Sequence, residues 1–507
     1  MRLTSGKNNC SIIYDDARFS PPSLEKAMDF LIAQRQHIKR SLILSQIEEG
    51  YLVESHSFYS ALCSLMKLKK IDSFIGIGAS FQQYASCFDS SARFYVNEEE
   101  FLKEFDFSSL TNQTILIKGN EHFQLLQTYN LLQEYHQQTT IEVDLDALLF
   151  NLDYFKQKLK PETKLMLMVK AFSYGSGSFE IANMLCEEKV DYLGVAYTHE
   201  GVVLRNAGIE LPIMVMNVVE EDFKDIIAHQ LEPEIYSLRQ LDQFIAFLHK
   251  ENSSNNICEI HLKLDTGMKR LGFEYQDIPQ LISLLKLQKG IRIQSVFSHF
   301  STTDEPEHHA DFTHSQAARF QEMAKELKNA FAYPIISHIS NSAGISNFPE
   351  YQMDMVRLGI GLFGFSPNET DQKALRNLFS FKSRISQIRN IKKGESIGYG
   401  RAYIAEEDKR IAIIAAGYAD GIYRYMGNGN YKVRIAQQEV PIIARVCMDM
   451  CMLDVSKISC QEGDEVVVFD RQADIVNIAE LGRTIDYEVI TNLSDRPLRV
   501  FVKSNND

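Results

Sequence analysis

Residues 164–177 read Lys-Leu-Met-Leu-Met-Val-Lys-Ala-Phe-Ser-Tyr-Gly-Ser-Gly, with the second lysine at position 170. The apolar run Leu165–Val169 has the length of a buried strand, and the glycines that follow Lys170 mark a tight turn. Alone, Lys170 is either a solvated strand end or an amine desolvated for chemistry. Its neighbourhood decides between the two. The same rhythm of apolar strand and helical stretch recurs at Tyr192–Val195, Ile213–Met216, Glu259–Leu264, Ile293–Phe297, Ile335–Ile339 and Met355–Leu358. So long an alternation predicts an α/β fold of the (β/α)8 barrel type over residues 139–375, not a shorter doubly wound sheet.

In a parallel barrel the functional groups gather at the C-terminal ends of the strands. Glu259–Leu264 carries Lys263 and leads to Arg270. Ile293–Phe297 leads to His299 and, further on, Asp304. Ile335–Ile339 holds His338 and is followed by Ser342, and Met355–Leu358 holds Arg357 ahead of Gly359 and Ile360. Any one of these could be a satisfied structural group. Five strand ends of one polarity, Lys170 included, describe a cationic mouth for an anionic ligand. That mouth must be local, because the 507-residue chain has a formal net charge of −14.

Outward from the barrel, residues 1–138 alternate strands (Cys10–Tyr14, Leu42–Leu44, Phe74–Ile77, Arg93–Val96, Thr114–Lys118) with helices. The helices are one opened by Pro21-Pro22, one around Phe58–Leu65, one at Glu98–Glu104 and one at His122–Tyr135. This reads as a small, mostly parallel α/β domain, and the polar His136–Thr140 reads as a linker. Residues 376–507 change character: short β-rich runs at Ile411–Ala415, Tyr431–Ile435 and Glu465–Phe469, cut by glycine turns, predict a mainly β domain.

Apolar residues make up 45% and charged residues 24%, the balance of a soluble globular protein. The acidic balance argues against broad contact with nucleic acid or anionic lipid. No run is long enough to span a bilayer. Eight scattered cysteines without a CxxC pair fit free thiols in a reducing cytoplasm, and MRLTSGKNNC lacks the apolar core of a secretory signal. Two motifs are discounted. Gly359-Ile-Gly-Leu-Phe-Gly364 satisfies GxGxxG but has no acidic residue about twenty positions on, so it suits phosphate binding by backbone N–H groups better than a dinucleotide. Glu305-Pro-Glu-His-His309 lacks a compact zinc spacing, and no metal is expected.

At the strand-end residues the chain resembles the alanine racemase family, whose members are fold-type III pyridoxal-phosphate enzymes. That family's VKADAYGHG, KxDTGMGR, THF and RPGIxLYG elements correspond to VKAFSYGSG, KLDTGMKR, SHF and RLGIGLFG. Its YG, GYADG and RVCMDM elements correspond to Tyr399-Gly400, Gly417–Gly421 and Arg445–Met450. The likeness runs nearly unbroken from Ile141 to Leu498, with order and spacing kept. It implies pyridoxal 5'-phosphate as cofactor, L- and D-alanine as substrates, D-alanine for peptidoglycan as the product, and a homodimer. Lys170 would form the Schiff base and act as one of two acid/base groups. Tyr399, from the partner subunit, would be the other. Arg357 would face the pyridine nitrogen, and Tyr174, Ser342, Gly359, Ile360 and Tyr487 would surround the phosphate. Arg270 and the backbone at Met448 would meet the substrate carboxylate, with a carbamylated Lys263 orienting Arg270. His299 and His338 would join a network with Arg357. Tyr418, Arg424, Arg445 and Asp304 would line the way in.

The chemistry asks for such a pair. Racemisation takes a proton from one face of Cα and returns one to the other, so two groups on opposite faces are needed. Lysine and tyrosine titrate near about 10 in water and serve only if their environment lowers them. The chain departs from the family pattern at Phe172, Ser173, Ser176, Leu358 and Lys269, and of these Lys269, beside Arg270, bears on loop shape.

Residues 1–138 resemble the C-terminal domain of the Mur ligase that adds D-alanyl-D-alanine, on Asp15, Pro21 and Ser23 of DDARFSPPS and on ILIKG at 115–119. Ala17, Arg18 and Gln46 depart from that pattern, and the chain has no GxxxxGK[ST] loop, so ligation by this chain alone is not expected. The segment reads as a docking or stabilising module, and the chain as the rear part of a ligase–racemase fusion. Two other readings stay open. One is a different fold-type III racemase or decarboxylase, although Tyr399 and CMDM speak against the decarboxylase. The other is a catalytically silent cofactor-binding scaffold.

Overall fold

The computed structural model describes residues 1–17, 20–46, 55–119, 125–134, 138–177, 179–251 and 257–504. They fall into two compact units, one formed by Met1–Asp146 with Phe379–Asp507 and the other by Ala147–Leu378.

The second unit is a closed barrel of eight parallel strands: Lys164–Met168, Tyr192–Tyr197, Ile213–Asn217, Glu232–Ile235, Cys258–Lys263, Ile291–Phe297, Ile336–His338 and Met355–Leu358. The last pairs with the first, Arg357 opposite Met166, which closes the ring. Seven of the eight follow from the hydrophobic runs. The fourth, Glu-Pro-Glu-Ile, does not: it is four residues long and carries two acids and a proline, so nothing apolar announces it. Its neighbours on either side supply the missing partners, Met214 opposite Glu232 and Glu234 opposite His261. The outer helices form for ordinary reasons. Leu238–Lys250 starts at Ser237, whose side chain accepts from the Gln240 N–H, and buries Leu241, Phe244 and Leu248 at helical spacing.

The other unit is built on a 14-stranded sheet. At one end Cys10–Asp15, Gln113–Lys118, Lys39–Ser45, Ser73–Ile77 and Arg93–Tyr95 run parallel. The helix Pro21–Ala33 packs there, opened by a reciprocal Ser20–Ser23 capping box with proline in its first turn. Arg2–Gly6 and Cys10–Asp15 form a hairpin around Asn8 and Asn9, both at positive φ, the residues such a turn favours. The sheet continues through Leu498–Val502, Thr140–Asp144 and Phe379–Ile391 into antiparallel strands that include Lys409–Ile414, Lys432–Ile435 and Glu465–Phe469.

Two local expectations change. The stretch taken as a linker ends inside a strand, since Thr140 begins Thr140–Asp144; positions 136 and 137 lie outside the described residues. The helix expected at His122–Tyr135 is Leu126–Leu132, and its outer positions 122–124 and 135 likewise lie outside the described residues. Among the described residues no helix is long and apolar enough to cross a membrane.

Candidate functional site

Lys170 follows the first barrel strand and opens an unusual turn. Ala171, Phe172, Ser173 and Tyr174 all have φ between 49° and 55°, a left-handed helical turn made without glycine. Such residues are disfavoured by roughly 1–2 kcal/mol each, so the surroundings must hold them. Ser173 N–H donates to the Val169 carbonyl at 3.2 Å, Gly175 N–H to the Ala171 carbonyl at 3.1 Å, and Ser176 Oγ to the Ser173 carbonyl at 2.6 Å. Glu200 adds a clamp: one carboxylate oxygen accepts from Ala171 N–H at 2.7 Å, the other from Ala196 and Tyr197 N–H at 2.7 and 3.0 Å. The turn aims Lys170 and Tyr174 at fixed places. Burial, and next to it the Arg270 charge, hold the Lys170 amine below its ordinary value.

Tyr174 is buried, and its ring packs against Phe363 at a centroid distance of 4.7 Å. Its hydroxyl lies close to Gly359, where an added Cβ would meet it at 2.8 Å. Ser342 Oγ accepts from Gly359 N–H at 2.9 Å and Gly361 N–H at 3.3 Å. A phenol, a hydroxyl and converging backbone N–H groups therefore share one small space at the strand ends. That is the donor set of a phosphate cradle.

Arg357 is 3% exposed and is held by four hydrogen bonds from its two Nη atoms. Nη1 donates to His338 Nδ1 at 2.7 Å; Nη2 donates to the Ser298 and Ile339 carbonyls at 2.7 and 3.1 Å and to His299 Nδ1 at 3.1 Å. Burial and the Arg357 charge keep both imidazoles well below the usual histidine range, hence neutral acceptors. The Phe297 ring stacks on His338 at 4.9 Å and carries Lys263 Nζ 4.2 Å from its centroid. Burial pulls the Lys263 amine down to about 8, against the pull of Glu234.

The barrel thus brings Lys170, Tyr174, Lys263, His299, His338, Ser342, Arg357, Gly359 and Ile360 to one end. Arg270 is on the surface and is felt electrostatically by Lys170 and Lys263. Asp304 is exposed in the turn before the helix Pro306–Ala330. The remaining residues belong to the other unit. There Tyr399, Tyr418 and Met448 are 71, 42 and 53% exposed. Arg424 and Arg445 are exposed and Tyr487 is half-buried; the Arg445 guanidinium packs close to Gly400.

Sequence reasoning missed two carboxylates. Glu234, buried on the unannounced fourth strand, faces the charges of Lys263, Arg270 and Arg357, and burial raises its pKa. Glu200 was legible only as a helix-start signal three residues after Tyr197.

Lys170, Lys263, Arg270 and Arg357 outweigh Glu200 and Glu234, so the site suits a ligand with several negative charges. A lowered amine beside a phosphate cradle fits pyridoxal phosphate. Lys170 would hold its carbonyl carbon, and Tyr174, Ser342 and the Gly359 backbone its phosphate.

Comparison with known proteins agrees. The profile "Alanine racemase, N-terminal domain" matches residues 143–367, and "Alanine racemase, C-terminal domain" matches 378–501. "Alanine racemase 2" of Caldanaerobacter subterraneus is 34% identical over 375 residues, covering 72% of this chain and 95% of that protein. The alanine racemase of Helicobacter pylori strain G27 is 35% identical over 378 residues, covering 71% and 98%. Among solved structures, alanine racemase of Clostridium difficile 630 superposes with a TM-score of 0.68 at 35% identity, covering 74% of this chain and 98% of that one. By sequence, barrel and site, the chain belongs to the alanine racemase family.

Proposed function

We propose that the protein is an alanine racemase, a pyridoxal-phosphate isomerase that interconverts L- and D-alanine through two bases and so supplies D-alanine for peptidoglycan. The observation that carries this is the desolvated Lys170 amine, set by a clamped left-handed turn beside the Tyr174–Ser342–Gly359 cradle. When bound, the cofactor supplies the electron sink that stabilises the Cα carbanion. Everything else falls to the chain.

Lys170 Nζ takes the Cα proton from one face, or returns it there. Lowering of its pKa leaves more of it as free amine at working pH. The Tyr399 hydroxyl, supplied by the partner subunit of a homodimer, acts on the opposite face. The exposure of Tyr399, Tyr418 and Met448 supports that arrangement, since large side chains left bare on a unit suit an interface. Arg357, cationic and tied by four bonds, would face the pyridine nitrogen, and its charge would keep that nitrogen unprotonated and weaken the electron sink, which would disfavour transamination. Arg270 and the Met448 backbone of the partner subunit hold the substrate carboxylate. Tyr487 adds to the phosphate site, and Tyr418, Arg424, Arg445 and Asp304 line the approach. Residues 1–138 serve as a docking or stabilising module for a Mur ligase's ATP-binding part, and the enzyme works in the cytoplasm.

The test is racemisation by the holoenzyme beside Lys170→Ala and Tyr399→Phe. Both variants should lose nearly all activity, and mixing the two should restore part of it through mixed dimers with one intact site. A fully active Lys170→Ala would refute the assignment.

A further inference from the structure

Behind Arg357 a file of hydrogen bonds runs through the barrel interior, away from the strand-end site. His338 Nε2 and Ser295 Oγ are 2.9 Å apart, Ser295 Oγ and His261 Nδ1 2.6 Å, and His261 Nε2 and Glu232 Oε2 2.8 Å. His338, Ser295 and His261 are each 0% exposed, and Glu232 is 9% exposed. The order follows from the strand registers, which set His261 opposite Ser295 and place Ser295 and His338 on neighbouring strands. Glu232 sits at the first residue of its strand, at the opposite end of the barrel from Lys170.

The sense of the file is fixed from both ends. A guanidinium only donates, so His338 Nδ1 must present its lone pair to Arg357. Neutral His338 then carries its proton on Nε2 and donates to Ser295 Oγ. The serine hydroxyl is left to donate to His261 Nδ1, and His261 donates from Nε2 to Glu232. Started from Glu232, with its carboxylate oxygen as the acceptor from His261, the same four bonds result. A cationic His261 would give Ser295 two incoming donors and strand its own proton in a buried place. The file is satisfied in one direction only.

We propose that Glu232 is a remote positioning residue for Arg357: it fixes the tautomer of His261, which turns the Ser295 hydroxyl so that its oxygen accepts from His338, and so holds the guanidinium in its orientation. This rests on the reading of Arg357 as the group opposite the cofactor's ring nitrogen. The titratable groups that face Glu232 are His261, the Tyr192 phenol, whose ring meets His261 edge-on at 5.9 Å, and Arg205, Cys258 and Glu259. Carboxylate is needed, not merely bulk: an amide at 232 can turn either its oxygen or its NH2 toward His261 and ceases to dictate the sense.

The experiment uses the full-length holoenzyme with 15N-labelled histidine. Ring-nitrogen shifts in the parent should show His261 and His338 as neutral Nε2–H tautomers. Glu232→Gln should populate both tautomers of His261 and disturb His338, and Ser295→Ala should uncouple the two rings. Racemase kcat should fall roughly ten- to hundredfold in both variants, the range seen when partners that orient a functional group are lost, with KM nearly unchanged. The cofactor absorption should shift with kcat, and Glu232→Asp should recover part of both. Nδ1–H on His338 in the parent, or Glu232→Gln with parental shifts and spectrum, overturns the proposal. The tautomers are read without turnover, so a failure here is distinguishable from a failure of the racemase assignment.

Discussion

Replacing Gly359 by alanine tests the phosphate cradle with one methyl group. Gly359 has φ −118° and ψ −103°. The new Cβ would sit 2.8 Å from the Tyr174 hydroxyl, with its next neighbours on Met168 at 3.7 Å. The Tyr174 contact is the short one, and an ordinary van der Waals gap needs at least half an ångström more. Tyr174 has little room to retreat, because it is buried, lies on Phe363 and is rooted in the left-handed turn. Overpacking of this kind costs about 1–3 kcal/mol. Taken from cofactor binding, that is a roughly fivefold to 150-fold rise in Kd. Titrating the apoprotein with pyridoxal phosphate, followed by absorbance, reads it directly. Gly361→Ala is the contrast: its Cβ would strike the Phe155 ring at 2.5 Å, so it should lower thermal stability instead. A Gly359→Ala protein that binds the cofactor as tightly as the parent refutes the cradle.

Loss of the Glu200 clamp should free the Lys170 turn: Glu200→Ala should lower kcat and speed amide exchange at Ala171, with a stability loss of about 1–2 kcal/mol because two of its three bonds are exposed. Glu234→Gln removes a charge that raises both Lys170 and Lys263, so both amines of the apoprotein should titrate at lower pH, measured by their pH-dependent reaction with an amine-reactive reagent. As a free amine, Lys263 also links to stability. Its folded value is about 8 against 10.5 unfolded, so between those pH values the unfolded chain binds more protons and the apoprotein should gain stability as pH rises. Lys263→Met should flatten that part of a denaturant-derived stability curve.

Much of this was readable in the residues because the barrel strands are apolar runs and the polar groups stand at their ends. Lys170, His338 and Arg357 could be singled out on that ground alone. What escaped was written in another form. The strand Glu232–Ile235 has a polar inward face, since Glu232 and Glu234 alternate with Pro233 and Ile235 and both turn to partners elsewhere in the barrel. Its hydrophobic signal is therefore absent, and both buried carboxylates went with it. The left-handed turn at Ala171–Tyr174 contradicts the local preference of its residues and depends on Glu200, a long-range contact. The shared sheet of the N- and C-terminal segments escaped as well. Its join pairs Arg2 with Val502 and Thr140 with Leu498, partners too far apart in the chain for any local pattern to show.

Two-base racemisation at Lys170 has a simple optical consequence. The most direct measurement follows the optical signal of alanine by circular dichroism, with the pyridoxal-phosphate-loaded protein acting separately on the L and D forms. The signal should decay to zero from both sides, since enantiomers are equal in free energy, and should not decay with Lys170→Ala. A cofactor-loaded parent that leaves both signals intact, or a Lys170→Ala variant that erases them at the parental rate, would contradict it.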